Sequence, residues 1–239
     1  MGGFANNAPI VTDGLVFYVD AGNSKSYDGV SGGTTWTDLV GSNNGTLTNM
    51  DTNPASGGYV YNSGNGGNIV FDGVDDYVDC GNNSSLDSLG EISIGAIFNF
   101  SSTSGDRETV IQKGGFNTDS GMYGLQLFNE RARFALWNNG SDNNFFDSTV
   151  TINNSTNYVM CTWDGNTMKI YINGTLNSSQ AYTPTSTFGN NTRNLGIGKS
   201  IQENDKYLGG NVYTAQIYNR ALSASEVLQN YNALKNRFV

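Results

Sequence analysis

The feature that most constrains the fold is a series of short strand-like runs, each followed by a cluster of Gly, Asn, Asp or Ser. The first run is "LVFYVD" at residues 15–20, and others include "NIVFDG", "ISIGAIFNF", "RARFALWN" and "NVYTAQIYN". Runs of β-branched and aromatic residues between turn formers are typical of strands. Aromatic residues make up 12% of the chain and charged residues only 14%, which favours a folded domain with many short strands over disorder.

Two pairs of neighbouring runs are joined by turns of hairpin size. Asn129-Glu130 separates the alternating runs in "LQLFNERARFALW", and Asp164-Gly165 interrupts "CTWDGNTMKIYING". Such turns predict antiparallel pairing, and Asp-Gly is a strong hairpin signal. Many strands with no helical pattern between them need two stacked sheets, because a single sheet would leave its apolar face in water. The predicted fold is therefore all-β, a two-sheet antiparallel jelly-roll sandwich.

The two ends of the chain differ from this pattern. Residues 1–12 show no periodicity and are predicted to form an extended arm, so that the domain proper spans residues 13–239. A helix is predicted at about residues 223–236, where Ser223 and Glu226 have the spacing of a capping box. We expect this helix to pack across the rim of the sandwich, with docking on another subunit as the alternative. Its apolar stripe consists of Val227, Leu228, Tyr231 and Leu234.

Charge and residue content exclude several classes of function. A net charge of -9 without a dense Lys/Arg cluster argues against nucleic acid, because phosphate binding needs cations. We expect no transmembrane segment and no signal peptide, since no apolar run is long enough and the first basic residue is Lys25. The chain contains no histidine, which excludes histidine-dependent triads and HExxH zinc sites. Cys80 and Cys161 lie in apolar runs and are predicted to be buried free thiols.

Paired carboxylates are the remaining route to catalysis, because two acids on one strand face can hydrolyse a glycosidic bond. The glutamates show no alternation that would place an acid and a nucleophile side by side. A glycoside hydrolase is therefore a minor alternative, and we predict a chain with no catalytic residues and no required cofactor. The five isolated glutamates are Glu91, Glu108, Glu130, Glu203 and Glu226.

The densest acidic stretch is "FDGVDDYVDC", residues 71–80. Calcium takes about six to eight oxygen ligands, so Asp72, Asp75 and Asp76 could supply only part of a structural Ca²⁺ site. The spacing of these acids does not fit an EF-hand loop. We interpret the stretch first as a structural hairpin turn, with calcium binding as the alternative.

Three motifs occur in a specific order, "GGNIVFDGVDDYVDCG", "TWDGNTMKIYING" and "GGNVYTAQIYNRALSASEVLQNY". In this order they resemble the concanavalin A-like laminin G/pentraxin-type jelly-roll superfamily (LamG-like domains). The resemblance spans about residues 15–231. It implies a curved sandwich whose N-terminal strand lies beside the strand at residues 212–219, with the helix laid over the sandwich.

The resemblance also implies roles for individual residues. Phe71 and Tyr77 would enter the core, and Arg220 would bridge to a carboxylate. Members of the superfamily often bind calcium at the rim, but the acidic pair that frequently follows the last glycine is replaced here by Tyr213 and Thr214. Turns are implied at Asp164-Gly165 and Asn173-Gly174, and core contacts at Trp163, Ile170 and either Tyr171 or Ile172.

The segments "GLVFYVDAGNSKSY", "WTDLVGSNNGTLTN" and "IYNRALSASEVLQNYNALKNRF" resemble LamG-like domains in structural proteins of tailed bacteriophages. This resemblance implies a non-enzymatic virion protein, made in the host cytoplasm, that decorates the capsid or belongs to the tail or fibre. Its expected partners are other virion subunits, reached through the N-terminal arm and the C-terminal tail, a second copy of itself, and host surface glycans.

The alternative function is a calcium-assisted carbohydrate-binding, lectin-like module. Sugar recognition needs an aromatic plane and polar groups for the hydroxyls. One stretch combines these groups, although core tryptophans and Asn-rich turns offer a purely structural interpretation. The candidate glycan-binding residues are Trp137, Asn138, Asn139, Asp142, Asn143, Asn144 and Phe145.

Overall fold

Strands are the main regular structure of the computed structural model. It describes residues 8–29, 33–50, 61–63, 66–87, 90–101, 107–115, 120–138, 143–152, 154–184, 192–203 and 206–237. Within these ranges the helix is α1 (Ala224–Leu234), and 3₁₀ turns lie at Ser84–Leu86 and Lys235–Arg237. The strands in chain order are β1 (Leu15–Asp20), β2 (Thr35–Trp36), β3 (Gly45–Thr48), β4 (Tyr61–Asn62), β5 (Asn68–Asp72), β6 (Tyr77–Asp79), β7 (Ile92–Phe100), β8 (Arg107–Lys113), β9 (Ser120–Phe128), β10 (Arg131–Asn138), β11 (Asn143–Asp147), β12 (Asn157–Trp163), β13 (Thr167–Ile172), β14 (Thr175–Ala181), β15 (Leu195–Ile197) and β16 (Gly209–Tyr218).

These strands form two antiparallel sheets. Sheet A has the order β14-β13-β12-β7-β16-β5-β4, and β1 also pairs with β16. Sheet B has the order β11-β10-β9-β8-β15-β6-β3-β2. The chain passes from β5 in sheet A to β6 in sheet B, then back to β7 and again to β8. The predicted two-sheet jelly-roll sandwich is confirmed, as is the position of the N-terminal strand beside β16.

The predicted turns are present and have the backbone geometry that hairpins need. Asn129 and Glu130 both have positive φ, 48° and 60°, as a two-residue turn between β9 and β10 requires. Asp164 follows β12, and its Oδ1 accepts from the backbone N–H groups of Asn166 and Thr167, at 3.0 and 2.8 Å. Local backbone chemistry therefore fixes the register of both hairpins.

The main core lies between the sheets and follows the alternation of side chains along each strand. On β12, Val159, Cys161 and Trp163 face this core, whereas Tyr158 and Met160 face away from it. The core positions implied for Phe71, Trp163 and Ile170 are confirmed. Cys80 and Cys161 are buried and unpaired, as predicted.

Tyr77 is an exception to the implied core positions. Its neighbour Val78 is fully buried in the core, so alternation along β6 places Tyr77 on the outer face of sheet B. There the ring is partly exposed and lies near Lys199. The expectation that Tyr77 enters the core is therefore wrong, because the register of β6 turns Val78 inward and Tyr77 outward.

A second apolar cluster covers the outer face of sheet A. Val227 and Leu234 of α1 belong to it, together with Ile97, Tyr158 and Met160, which point out of the sheet. Burying a side chain of this size contributes about 1.5–3 kcal/mol, so the cluster fixes α1 on the sheet. The helix therefore lies over the face of sheet A rather than at the rim where we expected it. Leu228, by contrast, remains exposed.

The start of α1 matches the sequence prediction. Ser223 is the N-cap and accepts from the backbone N–H of Glu226, while the Glu226 carboxylate accepts from the N–H of Ser223 at 2.8 Å. The capping box is therefore confirmed. Two orphan donors of the first turn are satisfied, which explains why the helix begins at residue 224.

The described part of the N-terminal arm, residues 8–12, docks on α1. The N–H of Val11 donates to Asn230 Oδ1 at 2.7 Å, and the Val11 carbonyl accepts from the Tyr218 hydroxyl at 3.0 Å. Asn230 Nδ2 in turn donates to the Tyr218 hydroxyl at 2.9 Å. Three residues from distant parts of the sequence thus form one buried network, which ties both ends of the domain to sheet A.

Arg220, at the end of β16, bridges to a carboxylate as the resemblance implied. Its Nη2 lies 2.6 Å from Glu226 Oε1, and its Nε lies 3.0 Å from Asp13 Oδ2. The Arg220 hydrogen bonds and the Ser223 N-cap lower the pKa of Glu226 to about 2. One ion-pair network therefore joins the start of the domain at Asp13, the segment after β16 and the helix.

This network predicts an acid-sensitive contribution to stability. The folded-state pKa of Glu226 lies below its ordinary value, so the contribution is complete at neutral pH and is lost as the pH falls from about 5 towards 2. We expect Glu226→Gln to lower the free energy of unfolding at pH 7 by about 1–2 kcal/mol, less than the full pKa shift would give, because the pair is partly exposed. Urea unfolding at pH 7, 4 and 2.5 measures this difference.

The glutamine substitution removes only the charge, because its amide oxygen can still accept from the N–H of Ser223 and preserve the capping box. The difference in stability between the two proteins should shrink steadily from pH 7 to pH 2.5, because folded Glu226 becomes half protonated only near pH 2. A difference that stayed constant across the three pH values would show that the ion pair does not contribute as described.

Candidate functional site

The structure brings two of the predicted glycan-binding residues together on the outer face of sheet B. Trp137 lies near the end of β10 and Phe145 lies on the neighbouring edge strand β11. Their ring centroids are 5.6 Å apart, and Phe145 is 36% exposed. They share a face because Phe134 and Leu136 of β10 and Phe146 of β11 turn inward, so alternation directs their neighbours outward.

The other predicted residues do not join this pair. Asn138 is buried, with 2% of its surface exposed. Asn144 points to the opposite side of β11 from Phe145, and its Oδ1 accepts from Gln180 Nε2 on β14 at 2.7 Å. This hydrogen bond links the edges of the two sheets. Asn143 is in register with Trp137, and Asn139 and Asp142 lie outside the described residues.

Three residues that the sequence analysis did not select complete the surface. Arg133 and Asp147 are paired across β10 and β11, with Nε–Oδ1 at 2.6 Å and Nη2–Oδ2 at 2.9 Å. The guanidinium carbon of Arg133 lies 3.6 Å from the ring centroid of Phe128. We call this surface the aromatic–arginine patch and define it as Phe128, Arg133, Trp137, Phe145 and Asp147.

A signal for these residues was present in the sequence. In "RARFALW" the residues at positions 133, 135 and 137 share one face of the strand, so Trp137 implies an outward Arg133. The same alternation in "NNFFD" places Phe145 and Asp147 on one face of β11. The sequence analysis treated residues 137–145 as one loop-containing stretch and did not apply the two-residue alternation of a strand.

The patch offers two kinds of contact to a ligand. The rings of Trp137 and Phe145 provide apolar surface for the C–H face of a sugar, while Arg133 and Asp147 provide donors and acceptors for hydroxyl groups. The bidentate pairing holds the two charged groups in one plane. Because Arg133 is also stacked on Phe128, the polar groups are positioned before any ligand arrives.

The acidic turn between β5 and β6 gathers three carboxylates. Ligand oxygens of Asp72, Asp75 and Asp76 lie within 4.8 Å of one another, with the first two residues exposed and the third buried. Asp72 Oδ1 accepts from the N–H groups of Val74 and Asp75, at 2.8 and 3.3 Å, and Asp76 Oδ2 accepts from the N–H of Asp72 at 2.9 Å. The carboxylates therefore shape the turn itself. Their oxygens fit part of a calcium shell, which needs about six to eight ligands.

Three glutamates and both cysteines are engaged in structural roles. Glu203 pairs with Arg107 at 2.8 Å, Glu226 with Arg220, and Glu91 Oε2 accepts from the N–H of Ala221 at 3.2 Å. Burial raises the pKa of both cysteine thiols, Cys80 and Cys161, well above the ordinary range. These thiols remain protonated at neutral pH and are poor nucleophiles.

A search for membrane-spanning helices in the described part of the chain found none of sufficient length and apolarity.

Comparison with solved structures finds the same fold at low sequence identity. The binding domain of Paraclostridial Mosquitocidal Protein 1 matches with a TM-score of 0.69 and 16% identity, over 92% of this chain and 52% of that one. Trypanosoma rangeli sialidase in complex with sialic acid matches with a TM-score of 0.67 and 14% identity, over 95% and 34%. Domain 4 of AbnA, a GH43 extracellular arabinanase from Geobacillus stearothermophilus, in complex with arabinotriose, matches with a TM-score of 0.63 and 16% identity, over 91% and 98%.

The extent of these matches differs. The chain spans about a third of the sialidase chain, about half of the toxin domain and nearly all of the arabinanase domain. At such identities the likeness shows the fold alone. A search of curated protein sequences found no match.

A laminin G family model, described as the concanavalin A-like lectin/glucanases superfamily, matches residues 72–228. The match runs from the acidic turn after β5 to the middle of α1 and covers more than half of the chain. It therefore includes the hairpins, the aromatic–arginine patch and the last strand. The chain belongs to the concanavalin A-like lectin/glucanases superfamily.

Proposed function

We propose that the chain is a non-enzymatic carbohydrate-binding module that binds a glycan at the aromatic–arginine patch. The observation that carries this proposal is the pair of rings, Trp137 and Phe145, on the outer face of sheet B beside the Arg133–Asp147 pair. Large aromatic rings left on a surface mark interaction sites more often than scattered aliphatic side chains do.

The preformed geometry of the patch supports this role. A sugar stacked on Trp137 and Phe145 would present hydroxyl groups to Arg133 and Asp147, which the salt bridge already holds in place. Ligand binding would then cost little side-chain entropy. The edge position of β11 leaves room for a chain of sugars to extend beyond the sheet.

The comparisons support a glycan as ligand by analogy. The sialidase and arabinanase-domain structures with this fold contain sialic acid and arabinotriose, respectively. Because one fold can host many functions, the patch residues rather than the fold carry the proposal. A non-enzymatic role is supported by the absence of histidine from the sequence and by the structural engagement of Glu91, Glu203 and Glu226.

We also propose that this module works on the virion of a tailed bacteriophage, in a capsid-decorating or tail-associated protein. The supporting observation is the resemblance of the residue 14–27 segment and the C-terminal segment to phage LamG-like domains. Leu176 on β14 and Leu228 on α1 are exposed on the sheet A side, away from the patch. They are candidate contacts to another virion subunit or to a second copy, while the patch faces outward.

Glycan binding predicts a specific effect of removing the rings. We expect Trp137→Ala and Phe145→Ala each to raise the dissociation constant of the glycan by about tenfold or more, as for anchor residues at other interfaces. A glycan array identifies a ligand, and calorimetry then measures its dissociation constant. Leu176→Ala, which truncates an exposed apolar residue on the other sheet, serves as the control and should not change the affinity.

Binding that both ring variants retain at full strength would disprove the patch as the site. An array with no bound glycan would disprove the proposed function. Hydrolysis of any bound glycan by the wild-type protein would overturn the non-enzymatic part.

The virion proposal predicts that the chain is present on purified phage particles. Mass spectrometry of particles purified by density gradient should detect it at a fixed copy number per virion. Its absence from particles, together with presence in the lysate, would overturn the proposal without affecting glycan binding.

The acidic turn predicts the response to calcium. We expect the protein to fold without Ca²⁺, because Asp72 and Asp76 satisfy backbone donors within the turn. Thermal unfolding should therefore give the same midpoint in EDTA and in buffer. The opposite result would be an unfolding midpoint that EDTA lowers by several degrees in the wild-type protein but not in Asp75→Asn. That result would show that the turn binds calcium.

A further inference from the structure

A lysine on the outer face of sheet B differs from the other buried cations of the chain. Lys199 follows β15, and the segment from Lys199 to Ile201 crosses over Gly196, where an added Cβ would meet the Lys199 carbonyl and the Ile201 side chain. The segment therefore covers β15 from outside. It places Lys199 next to β6, the neighbour of β15 in the sheet.

The Lys199 ammonium lies between two tyrosine rings. Its Nζ is 4.9 Å from the ring centroid of Tyr77 and 4.7 Å from that of Tyr207, and only 7% of the residue is exposed. Both tyrosines remain partly exposed. We call this group the tyrosine–lysine site and define it as Tyr77, Lys199 and Tyr207.

No carboxylate of the described residues lies within 4 Å of Lys199 Nζ. Lys113, the other buried cation of the described residues, does have such a partner, Asp87 at 2.9 Å. The more exposed Arg107 and Arg237 are also paired, with Glu203 at 2.8 Å and Asp20 at 2.6 Å. Among the described residues, Lys199 is therefore the buried cation without a carboxylate within 4 Å.

Lys199 is 7% exposed as a residue, and an ammonium group that loses part of its hydration without gaining an anion carries a desolvation cost. The two ring faces offset part of this cost through cation–π attraction. An anionic group placed on the open side of the ammonium would complete its coordination, and the rings would contact the apolar surface of the molecule that carries it. This arrangement suits a sugar with one oxyanion substituent.

We propose that the tyrosine–lysine site binds a single anionic substituent, a carboxylate or a sulfate, on the glycan that this module recognises. The inference rests on the proposed carbohydrate-binding function and adds an acidic subsite to it. The aromatic–arginine patch does not supply such a subsite, because Asp147 already pairs with its cation, Arg133.

The position of the site agrees with this role. Tyr77 on β6 and Trp137 on β10 face the same side of sheet B and are separated by β9, β8 and β15. Four strand spacings correspond to about 19 Å, so the two sites can be altered independently.

Nearby acids limit the charge of the ligand. Asp79 shares the outer face of β6 with Tyr77, but its two oxygens accept from Asn194 Nδ2, at 2.9 and 3.0 Å. The three carboxylates of the acidic turn precede Tyr77 in the chain. Their negative potential favours one anionic group over a polyanion.

The test compares matched saccharides by calorimetry. Galacturonic acid carries one carboxylate, galactose 6-sulfate carries one sulfate, and galactose is the neutral counterpart of both. We expect the wild-type protein to bind at least one of the two anionic sugars about tenfold more tightly than galactose, and this preference should weaken as NaCl rises from 20 to 300 mM. The two anionic arms distinguish carboxylate from sulfate.

Variants then locate the effect. Lys199→Met keeps the apolar stem and should abolish the anionic preference, whereas Lys199→Arg should retain it. Lys235→Met removes a lysine that lies 5.6 Å from the Tyr231 ring centroid, outside the tyrosine–lysine site, and serves as the matched control that should not change the preference. Thermal unfolding verifies that each variant is folded, and the salt dependence of the wild-type protein stands as a readout that needs no variant.

Each outcome has a defined meaning. Binding of neutral saccharides without any anionic preference, or a preference that Lys199→Met retains, would overturn this inference and leave the proposed function intact. Failure to bind any saccharide, neutral or anionic, would overturn both.

Discussion

Strand β16 is the constraint on which the rest of the structure depends. One of its edges pairs with β7, while β5 and β1 share the other edge. Its side chains contribute to both apolar clusters, with Val212, Ala215 and Ile217 on the inner face and Tyr213 and Tyr218 on the outer face. Because Tyr218 also meets Val11 and Asn230, the last strand joins the core, the helix and the N-terminal arm in one unit.

The two sheets use their outer faces differently as a result. Sheet A buries both faces, one against sheet B and the other against α1 and the arm, so its strands carry apolar residues on both sides. Sheet B buries its inner face and presents the aromatic–arginine patch and the tyrosine–lysine site on its outer one. Both proposed binding sites therefore lie on the sheet that no helix of the described residues covers.

Much of the fold could be predicted from the sequence, because its signals are local. The turns at Asn129-Glu130 and Asp164-Gly165 and the capping box at Ser223 depend on residues a few positions apart. The face that β6 presents depends on where pairing begins, so Tyr77 could not be placed from its own segment. The same reason applies to the candidate site: Trp137 and Phe145 were selected by residue type, whereas the hydrogen bond between Asn144 and Gln180 could not be foreseen because the two lie 36 residues apart.

The attachment of both chain ends to sheet A has a consequence for orientation. The arm at residues 8–12 and the helix that ends at Leu234 lie on the same side of the domain, and Arg237 anchors the last turn to Asp20 at 2.6 Å. A domain, particle or support that contacts the protein next to residue 8 or residue 237 would therefore lie behind sheet A. The outer face of sheet B would then point away from that contact and stay open to solvent.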